Sequence, residues 1–493
     1  MSLILSIKPL AAVLVSAFTV PAIISSGRNP NARESWTFAA AAVKFLLIAS
    51  MVPVILSGKE IYFTIAEILP GIPFAFKIDS VGIFFAVVAG FLWIITSAYS
   101  IGYMRTLKEH SQTRYFAFFA LSLSATIGAA FSANLFTLYI FYEILSLSTY
   151  PLVAHHQDEK SKVSSRKYLG FLLFGSIGLV LPAMIWIQMK TGTLDFTVQG
   201  IMTSGDFSKT EIVVLLLMLV FGFAKAGIMP LHSWLPAAMV APTPVSALLH
   251  AVAVVKVGVF CVVRVVTGVF GVKLLAHLDA GVILAWIASF TIIVSSLIAL
   301  SQDELKRRLA FSTIGQLSYI VLGIALLTPA GIKGGVLHIA MHAFGKITLF
   351  FCAGAIFVKT GKKYISQMKG IGRQMPVTLG AFFIGALSVI GLPPCGGFLS
   401  KWSLLEGTIQ SGNTAFLVVL LVSSVLNAAY FFPIVYNAFF FSDKSDFKES
   451  IDEAPMFCVV PLVLTAAISV LLFFYPFIFN TLADMFVNSI YGG

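Results

Sequence analysis

Long apolar segments separated by short polar loops follow one another along almost the whole chain. Each is long enough to cross roughly 30 Å of hydrocarbon as a helix. The pattern predicts an all-α polytopic membrane protein with fourteen transmembrane helices. The segments lie at 5–25, 39–57, 79–103, 114–132, 134–154, 168–188, 211–231, 244–269, 279–301, 309–328, 334–358, 376–399, 414–441 and 456–480.

The seventh and twelfth segments contain residues that interrupt a helix. Gly227 and Pro230 lie in the seventh, and Pro393 and Pro394 lie in the twelfth. Backbone groups freed at membrane depth need partners from protein or water, so such breaks indicate a buried site rather than a lipid-facing surface. The breaks are five helices apart, and an odd offset reverses direction across the membrane. This predicts inverted five-helix repeats of helices 4–8 and 9–13. The alternative is that Gly and Pro are simply common in membrane helices.

The repeats divide the chain into four predicted parts. Residues 1–110 hold helices 1–3, 111–270 the first repeat, 271–442 the second repeat, and 443–493 helix 14. The first residues have no basic n-region and no small-residue cleavage site, so they are interpreted as helix 1 and not as a signal peptide.

Composition narrows the function classes. Hydrophobic residues make up 58% of the chain and charged residues 11%, which excludes an ordinary soluble domain. The net charge of +11 does not indicate nucleic-acid binding, because the basic residues follow loop parity and not one aromatic-rich surface. They concentrate after odd-numbered helices. The positive-inside rule then predicts that these loops lie in the cytoplasm and both termini outside it, and the expected location is a bacterial inner membrane.

No cofactor or metal is predicted. The sequence has no recognisable haem, flavin, quinone or iron–sulfur motif, so any redox chemistry would belong to a partner, and no self-contained catalytic site is expected. The four cysteines lack the C-x-x-C spacing of metal sites and are predicted to be core thiols. They are Cys261, Cys352, Cys395 and Cys458.

Ionisable residues at membrane depth are costly and point to an ion pathway. Glu143 and Lys225 can lower each other's cost as an ion pair, and moving the carboxylate or hydrating the cavity would switch the proton affinity of the lysine. A static pair that locks two helices together is the alternative.

The eleventh helix carries His338, His342 and Lys346 at positions i, i+4 and i+8, which places them on one stripe. Imidazoles spaced in this way can pass a proton, because histidine changes charge near neutral pH. The histidine spacing resembles half a zinc site, but no H-E-x-x-H pattern or third ligand accompanies it, so no metal site is predicted. Satisfied core histidines are the plainer alternative.

Further candidates lie in helices 8 and 12. His250 and Lys256 could line one cavity, and Lys256 lies too deep for snorkelling to either surface. Lys401 follows the second break and could be a terminal ion-exchange site, or else a snorkelling lysine. Asp79 and Asp303 stand where helices 3 and 10 are predicted to begin, and both are interpreted as N-terminal caps.

These residues lie in motifs that resemble a known family. YEILSLSTYPLVAHH, FGFAKAGIMPLHSWLPAAMVAPTPVSALLHAVAVVKVGVF, QDELKRRLAFSTIGQLSY, LHIAMHAFGKITLFF and GLPPCGGFLSKW are similar to segments of the proton-conducting antiporter-like subunits. Mrp-type Na+/H+ antiporters, respiratory complex I and membrane-bound hydrogenases share these subunits. The resemblance covers nearly the whole chain and implies fourteen helices with inverted repeats.

The resemblance also implies roles for the candidates. A lysine at the second break is similar to the pattern of the D-type Mrp subunits, whereas one complex I subunit carries a glutamate there. Carried over by motif, the residues are the glutamate of helix 5 (Glu143), the lysine of helix 7 (Lys225), the histidine of helix 8 (His250), a linking lysine (Lys256), the central relay of helix 11 (His338, His342 and Lys346) and the terminal lysine of helix 12 (Lys401).

Three functions remain open at this point. The first is a proton-translocating subunit of a multisubunit Na+/H+ antiporter, with other membrane subunits, H+, Na+ and the lipid bilayer as partners. The second is a proton-pumping subunit of a redox-driven complex such as NADH dehydrogenase, hydrogenase or a formate-linked enzyme. The third is an autonomous solute carrier whose broken helices hold an anionic substrate.

Overall fold

The computed structural model describes residues 2–69, 71–248, 252–441 and 450–492. Helices dominate it. The first eleven are α1 (Lys8–Ser25), α2 (Pro30–Ala49), α3 (Val52–Leu56), α4 (Ser80–Thr106), α5 (Gln112–Ala130), α6 (Leu135–Val153), α7 (Glu159–Gly175), α8 (Leu181–Thr191), α9 (Lys209–Gly222), α10 (Trp234–Ala237) and α11 (Thr243–Ala247). The others are α12 (Val254–Arg264), α13 (Val272–His277), α14 (Ala280–Ser301), α15 (Leu305–Ala325), α16 (Pro329–Thr360), α17 (Ile371–Gln374), α18 (Pro376–Ile390), α19 (Gly397–Gln410), α20 (Thr414–Phe440), α21 (Met456–Phe474) and α22 (Phe477–Tyr491).

Within the described ranges, ten helical spans are long and apolar enough to cross a membrane. The prediction of a helical polytopic membrane protein is confirmed, while the count of fourteen stays a prediction. The last apolar segment ends earlier than expected, at Phe474, and a separate helix, α22, follows it. Pro476 stands between the two helices, and its ring nitrogen cannot donate the hydrogen bond that would continue α21.

A small sheet near the N-terminus was not predicted. Its strands are β1 (Leu3–Leu5), β2 (Glu60–Leu69) and β3 (Ile72–Ile78). β1 runs parallel to β2, and β2 pairs antiparallel with β3. An ion pair of 3.1 Å between Lys77 Nζ and Glu60 Oε2 joins the two longer strands. A Pro-Gly turn between residues rich in Ile, Phe and Tyr is the sequence signal for this hairpin.

Both predicted helix breaks are present. α9 ends at Gly222 and gives way to a 3₁₀ turn over Ala224–Ala226, after which Gly227 is left-handed with φ 70°. α18 ends at Ile390, Gly391 has φ 90°, and α19 begins only at Gly397. The two breaks satisfy one requirement of the inverted-repeat arrangement, which stays a prediction together with the four-part division.

The two predicted helix caps have different outcomes. Asp79 does cap α4, because its Oδ1 accepts a hydrogen bond of 2.9 Å from the Gly82 backbone N–H. It also pairs with Arg264 of α12, a residue that the sequence analysis overlooked. The capping prediction for Asp303 is wrong. α15 begins two residues later, and the Asp303 carboxylate accepts hydrogen bonds from the Ser366 backbone N–H and hydroxyl at 2.9 and 2.7 Å.

The helix α16 lies at the centre of the bundle. It is buried over most of its length and packs against α15, α18, α19 and α21, with further contacts to α4 and α11. Polar side chains on this helix therefore have only protein around them, and each must find a partner there.

Candidate functional site

Lys225 lies in the 3₁₀ turn of the first break and is fully buried. Its ammonium donates hydrogen bonds to the Tyr142 carbonyl at 2.5 Å and to the Ser146 hydroxyl at 2.6 Å. It also lies 3.1 Å from the centroid of the Tyr142 ring. The lysine is thus held by α6, through a carbonyl, a hydroxyl and an aromatic face.

The structure does not bring Glu143 into direct contact with Lys225. Among the described residues, no ion pair joins them, and one Glu143 carboxylate oxygen is buried without a hydrogen-bond partner. Tyr142 and Ser146 are four residues apart and share the face of α6 that meets Lys225, whereas Glu143 is rotated by one residue from that face. Glu143 is therefore a neighbour, on α6, of the two residues that hold Lys225. It does not form the expected salt bridge with the lysine.

Lys256 and His342 form a direct contact between α12 and α16. The Lys256 ammonium lies 2.7 Å from His342 Nδ1, and both side chains are buried. Nε2 of His342 has no hydrogen-bond partner among the described residues. A lysine that donates to a neutral imidazole leaves that second nitrogen as the N–H of the ring.

His338 continues the contact along α16. The rings of His338 and His342 are stacked with centroids 5.6 Å apart, which confirms their predicted common stripe. His338 Nδ1 lies 2.9 Å from the Ser400 hydroxyl, and its Nε2 lies 3.0 Å from Gln316 Oε1. Both ring nitrogens are thus engaged, one by α19 and one by α15.

Lys401 follows Ser400 in the first turns of α19. Its ammonium donates a hydrogen bond of 2.9 Å to the carbonyl of Ile390. Ile390 is the last residue of α18 before the break. It also lies 4.5 Å from the centroid of the Tyr319 ring, and that ring is 5.6 Å from His338. The second break thus supplies a free carbonyl to a buried lysine.

Lys346, the third residue of the predicted stripe, contacts α15. Its ammonium donates to the Ser312 hydroxyl at 2.8 Å and contacts the Leu309 carbonyl at 3.4 Å. Ser312 also accepts a hydrogen bond of 2.9 Å from the Tyr430 hydroxyl, which links α15 to α20. The sequence predicted one line of three residues on α16, and in the structure Lys346 contacts Ser312 on α15 while His338 contacts Gln316 one turn further along the same helix.

His250 lies outside the described residues. The sequence analysis missed several neutral members of the site, because an uncharged side chain adds little cost to an apolar segment. Three of them recur at i, i+4 and i+7 on α15, and that spacing is a signal that could have found them. They are Ser312, Gln316 and Tyr319.

A cavity of about 310 Å³ opens on the side of the predicted cytoplasmic loops. Its lining includes Glu109, His156 and Glu304, and also Thr243 at the start of α11 and Ala353 on α16. It therefore reaches α16, the helix that carries His342, from the side of those loops.

A helical membrane bundle that buries lysines at two broken helices defines the class of proton-antiporter-like membrane subunits. Residues 132–427 match the family described as NADH:quinone oxidoreductase/Mrp antiporter, transmembrane. The chain belongs to this family.

Relatives in this family are subunits of several complexes. The chain is 34% identical over 358 residues to NADH-quinone oxidoreductase subunit N of Desulforudis audaxviator, covering 72% of this chain and 70% of the relative. It is 30% identical to the A-type subunit of the Na(+)/H(+) antiporter of Alkalihalophilus pseudofirmus, covering 82% of this chain and 53% of the relative. It is also 30% identical to hydrogenase-4 component B of Escherichia coli, covering 83% of this chain and 64% of the relative.

Two solved structures share the fold over nearly the full length. A chain of the membrane-bound sulfane sulfur reductase, an archaeal respiratory membrane complex, matches with a TM-score of 0.86 and 26% identity, covering 98% of this chain and 96% of that one. A chain of the Mrp complex from Dietzia matches with a TM-score of 0.84 and 20% identity, covering 98% of both. This protein is thus a multi-pass, proton-antiporter-like membrane subunit of the Mrp, complex I or hydrogenase type.

Proposed function

We propose that this chain is the proton-translocating subunit of a multisubunit monovalent cation (Na+)/H+ antiporter, most similar to the D-type subunits of Mrp antiporters. The contact that supports this most strongly is Lys256 to His342 at 2.7 Å, continued by the stacked ring of His338. Three protonatable groups from two helices meet there in a fully buried setting. Such an arrangement stabilises a static fold poorly but suits a proton relay.

Proton transfer along this series uses one direct hydrogen bond and one water-mediated step. A proton on the Lys256 ammonium moves to His342 Nδ1 across their 2.7 Å contact. Water then carries the proton of Nε2 to His338, because the stacked rings share no hydrogen bond; His338 Nδ1 lies 2.9 Å from the Ser400 hydroxyl. Lys401, the next residue on α19, receives or releases the proton at the second break.

Like charges in a low-dielectric interior drive the transfer. Two neighbouring cationic groups destabilise each other. The arrival of a proton at one site therefore promotes the release of a proton from the next site. Lys225, held by α6 beside Glu143, is the first switch of the series. By resemblance, His250 is the helix 8 histidine of the relay, and Lys346 belongs with the two histidines to its central part, where it contacts Ser312.

The proposal extends to partners and placement. The chain works with other membrane subunits of the antiporter in a bacterial inner membrane, and it handles H+ while the complex exchanges Na+. Both termini lie outside the cytoplasm, and the parts 1–110, 111–270, 271–442 and 443–493 correspond to three leading helices, two repeats and a final helical part. No nucleic acid, metal or cofactor is involved in this role.

A second candidate is a proton-pumping subunit of a redox-driven complex. The 34% identity to an NADH-quinone oxidoreductase subunit and the 26% identity to a respiratory complex favour it. The same buried relay would then be driven by electron transfer in partner subunits.

The test is collapse of a preformed pH gradient by Na+ in everted vesicles that contain this chain with its native partners. Collapse that requires Na+ and is lost in Lys225→Ala supports the antiporter. Lys190→Ala, which removes surface contacts with Glu211, the Asp206 carbonyl and the Phe207 ring, is the matched control and should behave like the unsubstituted complex. Proton pumping that appears only when a redox substrate is added would favour the second candidate. Normal transport by an assembled Lys225→Ala complex would contradict the relay.

A further inference from the structure

Lys44 is a fully buried lysine outside the relay, in the N-terminal helices. It lies on α2, and its ammonium donates one hydrogen bond of 3.2 Å, to the Leu123 carbonyl of α5. The ammonium is 5.5 Å from the centroid of the Trp93 ring on α4. An ammonium has three N–H donors, so this contact satisfies only part of its capacity.

The buried face of α2 continues from Lys44 to a charged network at the helix N-terminus. Glu34 receives Arg105 Nη2 at 2.5 Å and Arg33 Nη2 at 3.2 Å, and Arg33 also donates to Gln112 Oε1 at 2.8 Å. One carboxylate thus meets two guanidinium groups at the end of the bundle that carries the basic loops.

The stretch of α2 between this network and Lys44 is walled by small residues. Thr37, Ala40 and Ala41 are buried there. Of the three, only Thr37 has a polar side chain, and its hydroxyl donates to the Arg33 carbonyl at 3.2 Å. The stretch thus joins two charged positions with little side-chain bulk between them.

The contacts of α2 and α4 fix which residues of α4 lie beside this stretch. Arg105 meets Glu34 near one end, and a Cβ on Gly90 would lie 3.0 Å from Ile48 near the other. The two helices are thus antiparallel, and this register places Ser97 of α4 beside Ala41. Ser97 Oγ and Trp93 Nε1 are both buried and have no hydrogen-bond partner among the described residues.

We propose that Lys44 is a second proton-exchange site, which binds and releases protons through a hydrated column along α2 from the Arg33–Glu34–Arg105 network. Water in the column bonds to the Ser97 hydroxyl and the Trp93 N–H and accepts the proton that the ammonium releases. Apart from Lys44 itself, the charged side chains of α2 and α4 are those of that network, while α1 carries only Lys8 and α5 only Arg114. The inference rests on the proposed transport function only for its flux measurement.

The first experiment compares transport by assembled complexes with Lys44→Met, Lys44→Arg and Lys225→Ala. We expect Lys44→Met and Lys44→Arg each to lower proton flux by about threefold or more, because arginine keeps the charge but does not release its proton. Rescue by arginine would assign Lys44 a purely structural charge and overturn the proposal. Unchanged flux in Lys44→Met, with flux still lost in Lys225→Ala, would overturn it while leaving the proposed function intact.

The second experiment needs neither transport nor a change at Lys44. Ser97→Cys is placed in the complete complex and treated with a membrane-impermeant methanethiosulfonate from the side of the basic loops. We expect faster labelling than in Ser124→Cys, whose native hydroxyl is bonded to the Val13 carbonyl at 2.7 Å, and than in the unsubstituted complex with its buried cysteines. Labelling of Ser97→Cys no faster than these controls would show that no hydrated column exists, whatever the transport results.

Discussion

Replacing Ser146 by alanine removes a single oxygen from the neighbourhood of Lys225. In the structure that oxygen accepts a hydrogen bond of 2.6 Å from the lysine ammonium, and the Tyr142 carbonyl accepts another of 2.5 Å. Alanine occupies less volume than serine and keeps α6 helical. The substitution therefore tests the hold of α6 on the lysine without removing the charge itself.

The size of the effect follows from the kind of hydrogen bond. A hydrogen bond to a charged group contributes about 1.5–3 kcal/mol, and a factor of ten corresponds to about 1.4 kcal/mol. Losing one of the two acceptors should therefore lower the population of charged lysine on α6 by about ten- to a hundredfold. Because the proposed relay requires that state, the initial transport rate should fall by a similar factor.

The assay is the initial rate of Na+-dependent collapse of a pH gradient in everted vesicles, normalised to the amount of assembled complex. Ser148→Ala is the matched control, since that hydroxyl lies on the same helix but contacts Ser122 and the Leu145 carbonyl. We expect the control to retain its rate. Equal rates for the two variants at equal abundance would refute the role given to the α6 hydroxyl.

Two further substitutions test other parts of the molecule. Gly391→Ala places a methyl group on a left-handed residue, where it would overlap Lys401 Cδ. We therefore expect at least a tenfold loss of transport. The control is Gly380→Ala, where a methyl group meets nothing within 4 Å, and it should retain activity. Similar rates for both would contradict the prediction. Burial and the neighbouring His156 hold the pKa of His155 at about 3, so the folded chain resists a proton that the unfolded chain accepts below about pH 6.5. The contribution of His155 to the free energy of unfolding should be full above that pH and lower by about 2 kcal/mol at pH 5. The apparent Tm of the purified complex should therefore fall less between pH 7 and pH 5 in His155→Leu than in the unsubstituted complex. Equal decreases in Tm would contradict this.

The sequence predicted the costly positions better than their partners. Lys225, Lys256 and Lys401 were found because a charge in an apolar segment demands compensation, and the structure buries all three. Their partners are largely backbone carbonyls and hydroxyls, which carry no such signal. Lys44 obeys the same criterion and could have been found in the second segment, but its acceptor is again a carbonyl.

Rotation about a helix axis was the other limit. The sequence paired Glu143 of predicted helix 5 with Lys225 of predicted helix 7, yet it could not show that Tyr142 and Ser146 would turn toward the lysine instead. The same holds for Lys346, whose spacing joins it to His342 while its ammonium reaches Ser312. Spacing fixes which residues share a face, and packing decides how far along that face a long side chain bends.

The adjacency of Ser400 and Lys401 has a mechanical consequence. Ser400 contacts His338 and Lys401 contacts the Ile390 carbonyl, so two contacts of the proposed relay are carried by one short piece of α19. A rotation of that helix by one residue step, about 100°, would move both contacts together. In the proposed relay, opening the path and releasing the ion would then be a single motion, and the break before Gly397 would allow the rotation.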